Sequence, residues 1–140
     1  MNRQRGAAAT EVAVIVPVIV LFIGALGIGW RINAARTKLA DAAASAARAA
    51  SIVNSAAAAP RVAEQAVRAD LDTVGLRCAD IGVSVDTSGY WAPLGAPATV
   101  GVRVSCTVDM SDLGVAGLGG RHRFTATAQE ALDTHRRRSP

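Results

Sequence analysis

The sequence predicts an α+β fold: a long helix on the N-terminal side, a shorter second helix, and then a three-stranded antiparallel sheet. Three observations carry that expectation. The stretch from Val12 to Trp30, "VAVIVPVIVLFIGALGIGW", contains no charged residue. The stretch from Arg31 to Asn54 is rich in Ala and free of Pro and Gly. Beyond residue 80, apolar and polar residues alternate in three separate runs. Period two marks a strand with one buried face, whereas a longer apolar stripe near period 3.6 marks helix.

The charge-free stretch is about 28 Å long at 1.5 Å per residue, close to the hydrocarbon thickness of roughly 30 Å. It reads as a transmembrane helix over residues 7–31. Pro17 is tolerable inside it, because the freed backbone group is re-satisfied by neighbours or absorbed as a kink. Gly24, Gly27 and Gly29 leave a smooth strip for the close approach of another helix, although each is also a common membrane-helix residue. A secretory signal peptide is the competing reading, with "MNRQR" as its positive end and "GALG" as small residues for cleavage. The apolar part of such a peptide usually runs about 7–15 residues, shorter than this one.

An Ala-rich helical region follows over residues 32–75. Ile32, Leu39, Ala43, Ala46, Ala50 and Val53 fall near one helix face, with Arg36, Lys38, Asp41 and Arg48 mostly elsewhere. Pro60 breaks this helix, since the residue before a proline disfavours helical backbone. A second helix is expected from Pro60 to Val74, with Gly75 as its stop. Its apolar stripe is Ala63, Ala66, Val67, Leu71 and Val74.

Residues 76–130 form the expected sheet domain. Ile81, Val83 and Val85 share one face of the first strand. Val100, Val102, Val104, Cys106, Val108 and Met110 do so in the second, and Phe124, Ala126 and Ala128 in the third, with His122 near its start. Such alternation belongs to antiparallel strands buried on one face. The linking loops, "DTSGYWAPLGAP" and "SDLGVAGLGG", are dense in turn residues. Tyr90 and Trp91 in the first loop read equally as an exposed contact patch or as a cover for the sheet. Residues 131–140 are read as a basic tail.

Cys78 and Cys106 are brought near each other by a hairpin of the first two strands. Their parity conflicts, however: with Ile81, Val83 and Val85 inward, Cys78 falls on the opposite face. A bulge, or a Cys78 lying outside regular strand, removes the conflict. The pair reads either as a disulfide, which suits an oxidising compartment and a core poor in large side chains, or as two buried thiols. The disulfide is the preferred reading.

The chain's 140 residues carry a formal charge of +4, mostly on scattered arginines. A nucleic-acid reader should show a basic face with interleaved aromatics or a known motif. Neither is present, so the charge is assigned to membrane flanks, solvated helix faces and the tail. No phosphate loop, nucleophile elbow or metal-ligand spacing occurs. His122 falls in a strand and His135 in the basic tail, so neither reads as catalytic, and the aspartates Asp80, Asp86, Asp109 and Asp112 fall at strand ends and turns. The expectation is therefore a non-enzyme with no catalytic residues, no metal, no cofactor, no nucleic acid and no small-molecule substrate.

The N-terminal segment "RGAAATEVAVIVPVIVLF" is the most informative part of the chain. Glu11 stands at the lip of the apolar run, where a carboxylate in lipid costs up to roughly 2.5–3.5 kcal/mol and needs a partner. A short basic leader, Gly6, four small residues, Glu11 and an apolar helix resemble a type IV prepilin-like leader. The broader run, with its Pro17, is similar to the TadE-like family, minor pseudopilins of tight-adherence pilus systems. The ending "FTATAQEALD" followed by arginines is also similar to the last strand and tail of that family. The resemblance implies a pilin-like arrangement and a leader of residues 1–6, cut between Gly6 and Ala7 by a membrane prepilin peptidase. It implies partners in other pilin-like subunits and the lipid bilayer. It also implies a single-pass protein in the cell membrane with its N-terminus cytoplasmic and its C-terminal domain outside.

Cleavage would create an ammonium at Ala7, for which Glu11 is the natural counter-ion within the chain or across to a neighbour. At an effective dielectric near 20 such a pair at 4 Å is worth up to about 4 kcal/mol, enough to offset the acid's cost in lipid. The bland alternative is an interfacial Glu left in water at a helix N-terminus, favoured there by the helix dipole. The count of flanking charges points against the implied topology. Arg3 and Arg5 precede the span, while Arg31, Arg36, Lys38 and Arg48 follow it, and positive residues ordinarily stay inside.

Overall fold

The computed structural model describes residues 3–109, 120–137 and 139, with side chains from residue 12 onward. The elements run α1 (Arg3–Ile52), α2 (Ala59–Thr73), β1 (Asp80–Asp86), a short 3-10 helix (Ser88–Trp91), β2 (Thr99–Asp109) and β3 (Arg121–Ala131). This is the α+β arrangement expected, with the sheet antiparallel throughout and ordered β1-β2-β3. The chain divides into two compact units, Met1–Ala34 and Ala35–Pro140.

In the first unit α1 is unbroken by Pro17. From Val12 to Trp30 its side chains are exposed, apart from a half-buried Ile28. Leu21 is 73% exposed and Phe22 65%, so this apolar surface has no cover from the chain's described residues. Monomeric soluble proteins rarely leave a contiguous apolar surface of this kind in water.

The second unit holds one core. From α1 it takes Ala35, Leu39, Ala42, Ala43, Ala46, Ala47 and Ala50. Ala59, Ala63, Val67 and Leu71 enter from α2, and Val100, Val102, Val104 and Cys106 from β2. The buried face of α1 is wider than the expected stripe, because Ala35, Ala42 and Ala47 join it. Alanine permits this: a methyl group fits wherever the helix turns toward the sheet or α2. Its burial contributes little, whereas a fully buried Val or Leu contributes about 1.5–3 kcal/mol. The core is therefore thin, and Leu39, Leu71, Tyr90 and the β2 valines supply most of its bulk.

Each helix is closed by identifiable groups. At the end of α2, Gly75 takes φ +66°, a left-handed conformation that glycine adopts without steric cost. Its N–H donates to Asp72 O at 3.2 Å, and the Leu76 N–H donates to Leu71 O at 3.0 Å. These are the two bonds of a Schellman cap. Lys38 Nζ on α1 also donates to Val74 O at 2.8 Å, tying the two helices at that end.

The end of α1 is closed by the C-terminal segment. Arg136 donates from Nη1 to Ile52 O at 2.7 Å, placing a cation at the negative end of the helix. The Ser139 N–H donates to Asn54 O at 2.7 Å, and Ala56 N–H donates to Ser139 O at 2.9 Å. The segment read as a basic tail thus also caps α1. Ala131 still belongs to β3 and Leu132 is buried, only 5% exposed.

Register sets the faces of the sheet. Ile81, Cys106 and Phe124 lie side by side, as do Val83, Val104 and Ala126, and Val85, Val102 and Ala128. These rows face the core, as the alternation predicts. The other face carries Asp80, Thr107 and Arg123; Gly82, Ser105 and Thr125; Ser84, Arg103 and Thr127; and Asp86, Gly101 and Gln129. β3 continues through Gln129 and Glu130 to Ala131, three residues beyond "RHRFTATA". Met110 and the loop after it lie outside the described residues.

Candidate functional site

Gly6, Ala7 and Glu11 fall within α1, and their side chains lie outside the described part of the structure. Glu11 lies four positions after Ala7, so in helical backbone they stand about one turn apart on the same side. The helix that follows is, among the described residues, the one long and apolar enough to cross a membrane. Trp30, 74% exposed, stands at its far end. An amphipathic indole at such a position suits the headgroup layer of a bilayer.

Three of the positive residues after this stretch, Arg36, Lys38 and Arg48, have local work in the second unit. The Arg36 guanidinium lies 5.9 Å from the centroid of the Phe124 ring. Lys38 is bonded to the end of α2, and Arg48 approaches Glu130 at 4.0 Å across exposed surface. These residues hold α1 to α2 and β3. Exposed contacts of this kind contribute about 0–1 kcal/mol each.

Cys78 and Cys106 are joined in a disulfide, with an S–S distance of 1.99 Å and a Cα–Cα distance of 5.4 Å. The conflict of parity is resolved by position: Cys78 precedes β1, and Ala79 next to it donates its N–H to Thr107 O at 2.7 Å. The chain bends between Cys78 and Asp80, so strand alternation does not reach back to the cysteine. Cys106 is buried beside Val104, whereas Cys78 is half-buried. The bond therefore fastens the entry to β1 onto the central strand.

Tyr90 overturns one of its two expected roles. It is no exposed contact residue: it is 2% exposed, and its hydroxyl donates to Ala50 O at 2.6 Å in the last turn of α1. Trp91 beside it remains 71% exposed. The 3-10 helix that turns Tyr90 inward depends on Gly89, where any Cβ would collide with the Thr99 carbonyl. Burial holds the Tyr90 phenol above its ordinary pKa of 10.0. Folding then favours the protonated hydroxyl, so this group's contribution is intact below pH 10 and is lost as pH rises above it. Tyr90→Phe is expected to cost about 1 kcal/mol at neutral pH, by removing a buried hydrogen bond to the Ala50 carbonyl, which then keeps only the Val53 N–H at 3.2 Å. Its stability should also fall less steeply than the wild type's above pH 10. Urea unfolding at pH 7 and at pH 10.5 measures both effects.

The outer face of the sheet is polar and open. At one end Arg123 Nη2 pairs with Asp80 Oδ2 at 3.2 Å, reaching across Thr107. At the other, Asp86 Oδ1 accepts the Ser88 N–H at 3.0 Å, and that bond holds the carboxyl below its usual pKa. Between them lie Ser84, Arg103 and Thr127 in one row. Alternation identified this face as outward, but its grouping depends on register, which no single strand carries. Among the described residues, no three His, Cys, Asp or Glu side chains converge as a metal site. No family model, curated protein or solved structure matches the chain.

Proposed function

We propose that this protein is a minor pseudopilin-like membrane protein. It acts in assembly of a tight-adherence type pilus or a related secretion apparatus, and it is processed after Gly6. Its work is mechanical: it inserts through α1, loses residues 1–6 to a prepilin peptidase, and packs beside other pilin-like helices. The observation that carries the reading is a single one. An exposed apolar helix of membrane-spanning length is headed by Gly6, Ala7 and Glu11 in the order and spacing of a processed leader.

The physical logic is that of paired charges in lipid. A new ammonium at Ala7 and the carboxylate of Glu11 each lose hydration on entering the bilayer, and each offsets the other's loss. Where the acid pairs with a neighbour's amine, the same attraction fixes the axial register between adjacent helices. Helix-on-helix contacts of this head-to-tail kind are open-ended and allow growth. The charge count weighs less against this topology, because Arg36, Lys38 and Arg48 belong to the second unit and only Arg31 beside the span is left against Arg3 and Arg5. Folded domains are translocated largely regardless of charge.

The alternative is an unprocessed single-span anchor carrying an extracytoplasmic binding domain. It is favoured by the start of α1 at Arg3, upstream of the cut, which makes the leader continuous with the span. A peptidase must unwind that first turn, and Gly6 eases this, since glycine disfavours helix by about 1 kcal/mol. Gly6→Leu separates the readings. Processing predicts that the variant accumulates in the membrane as a full-length precursor, heavier than the wild-type product by the leader. Full-length masses for both proteins, differing only by the side chain added at residue 6, would support the simple anchor.

A further inference from the structure

The middle of the sheet's outer face forms a shallow trough of about 340 Å³, spanning all three strands. Its floor is Gly101 and adjoining backbone, its walls are Ser84 and Asp86 on β1 and Thr127 and Gln129 on β3, and Arg103 stands at its centre. We infer that this trough is a binding site for a carboxylate-bearing saccharide, with Arg103 holding the carboxylate.

The argument begins with the arginine. Arg48, Arg68 and Arg123 each lie against a carboxylate of this chain. Arg103 is exposed on the central strand, and no described residue pairs with it; its cross-strand neighbours are Ser84 and Thr127. Asp86, one row away, directs a carboxylate oxygen at the Ser88 N–H. A guanidinium presents a planar fork of donors that matches a carboxylate with two parallel bonds. The groups around it are of another kind: two hydroxyls and an amide, which both give and accept hydrogen bonds as sugar hydroxyls require, and one ionised carboxylate, which accepts them.

Dimensions and charge narrow the class further. From β1 to β3 the trough is about 10 Å across, twice the inter-strand spacing and enough for two pyranose rings lying flat. Gly101 keeps it open: a Cβ there would stand 3.5 Å from Asp86 Cβ and 3.9 Å from Gln129 Cγ. A polyphosphate, with several negative charges, would meet more repulsion from Asp86 than a single carboxylate among neutral hydroxyls. An acidic peptide is a poorer fit. The trough lies over the middle of the sheet, where β2 is already paired on both sides, so a peptide finds neither a free strand edge nor an apolar pocket.

The full-length protein in detergent micelles tests this with a galactose–galacturonate disaccharide, which carries one carboxylate, as probe, followed by calorimetry. Comparison ligands are the methyl-esterified disaccharide, inorganic phosphate and a short Asp/Glu peptide. The galacturonate is expected to bind at least about tenfold more tightly than any of the three. Arg103→Gln should lose about tenfold. Gly101→Val, which fills the floor and leaves every charge in place, should lose as much, while Arg121→Gln should bind like the wild type. Thermal unfolding of each variant verifies that the sheet is intact. Equal affinity for the esterified sugar, for phosphate or for the peptide overturns the assignment. So does undiminished binding by Arg103→Gln, or no binding at millimolar galacturonate. The test does not involve residues 1–11, so its outcome is independent of leader processing.

Discussion

Replacing Cys78 and Cys106 together by serine is expected to destabilise the second unit by about 3–4 kcal/mol. The bond closes a loop of 28 residues, and the chain-entropy cost that such a loop removes from the unfolded state has about this size. Folded domains are stable by only about 5–15 kcal/mol, and this one has less apolar bulk than most. Alanine fills all but one of the buried positions of α1, and the core face of β3 offers only a half-buried Phe124 and alanines. The covalent tie therefore replaces packing that the sequence does not provide. Equilibrium unfolding in urea with and without reductant should show the loss in the wild type, and the double serine variant should be insensitive to reductant. A change under about 1 kcal/mol would mean that the Ala-rich packing is sufficient alone.

The second large effect is expected at Glu11. Glu11→Val should still insert and still be cut, since it makes the span more apolar and leaves Gly6 and Ala7 in place. Assembly should nevertheless fail, with recovery in complexes with other pilin-like subunits reduced by on the order of tenfold or more, because the ammonium at Ala7 has lost its counter-ion. Glu11→Gln keeps the length and the hydrogen bonding of the side chain but removes its charge. It should fail similarly. Co-purification from native membranes, normalised to the amount of processed protein, reads the effect. Normal recovery of both variants would remove the role assigned to the carboxylate.

Much of the fold was legible because its signals are local. The alternation of Val100, Val102, Val104 and Cys106 marks a buried strand face whatever lies beside it. Pro60 and Gly75 bound α2 through backbone sterics alone; α2 begins one residue before the proline and ends before Val74. What was not legible depended on contacts distant in sequence. Tyr90 has nothing nearby to mark it as buried; its partner is a carbonyl 40 residues away. Arg136 looks like any basic tail residue until the end of α1 is brought to it, 84 residues distant. Small side chains also concealed the width of the buried α1 face, since alanine is equally at home on either side of a helix.

The candidate sites divide along the same line. Gly6, Ala7 and Glu11 are a linear motif, readable without any fold. The trough around Arg103 is assembled from three strands and exists only once their register is set. An arginine in mid-strand, flanked by valines, is the one trace of it in the sequence. That trace says only that the residue faces outward. It does not say that its neighbours across β1 and β3 are hydroxyls rather than acids.

The central claim is that an ammonium created at Ala7 sits one helical turn from the carboxylate of Glu11. N-terminal sequencing of the protein purified from its native membrane tests it most directly. The account predicts a chain that begins Ala-Ala-Ala-Thr-Glu; a chain that still begins at Met1, or one that begins near Ile28, would contradict it.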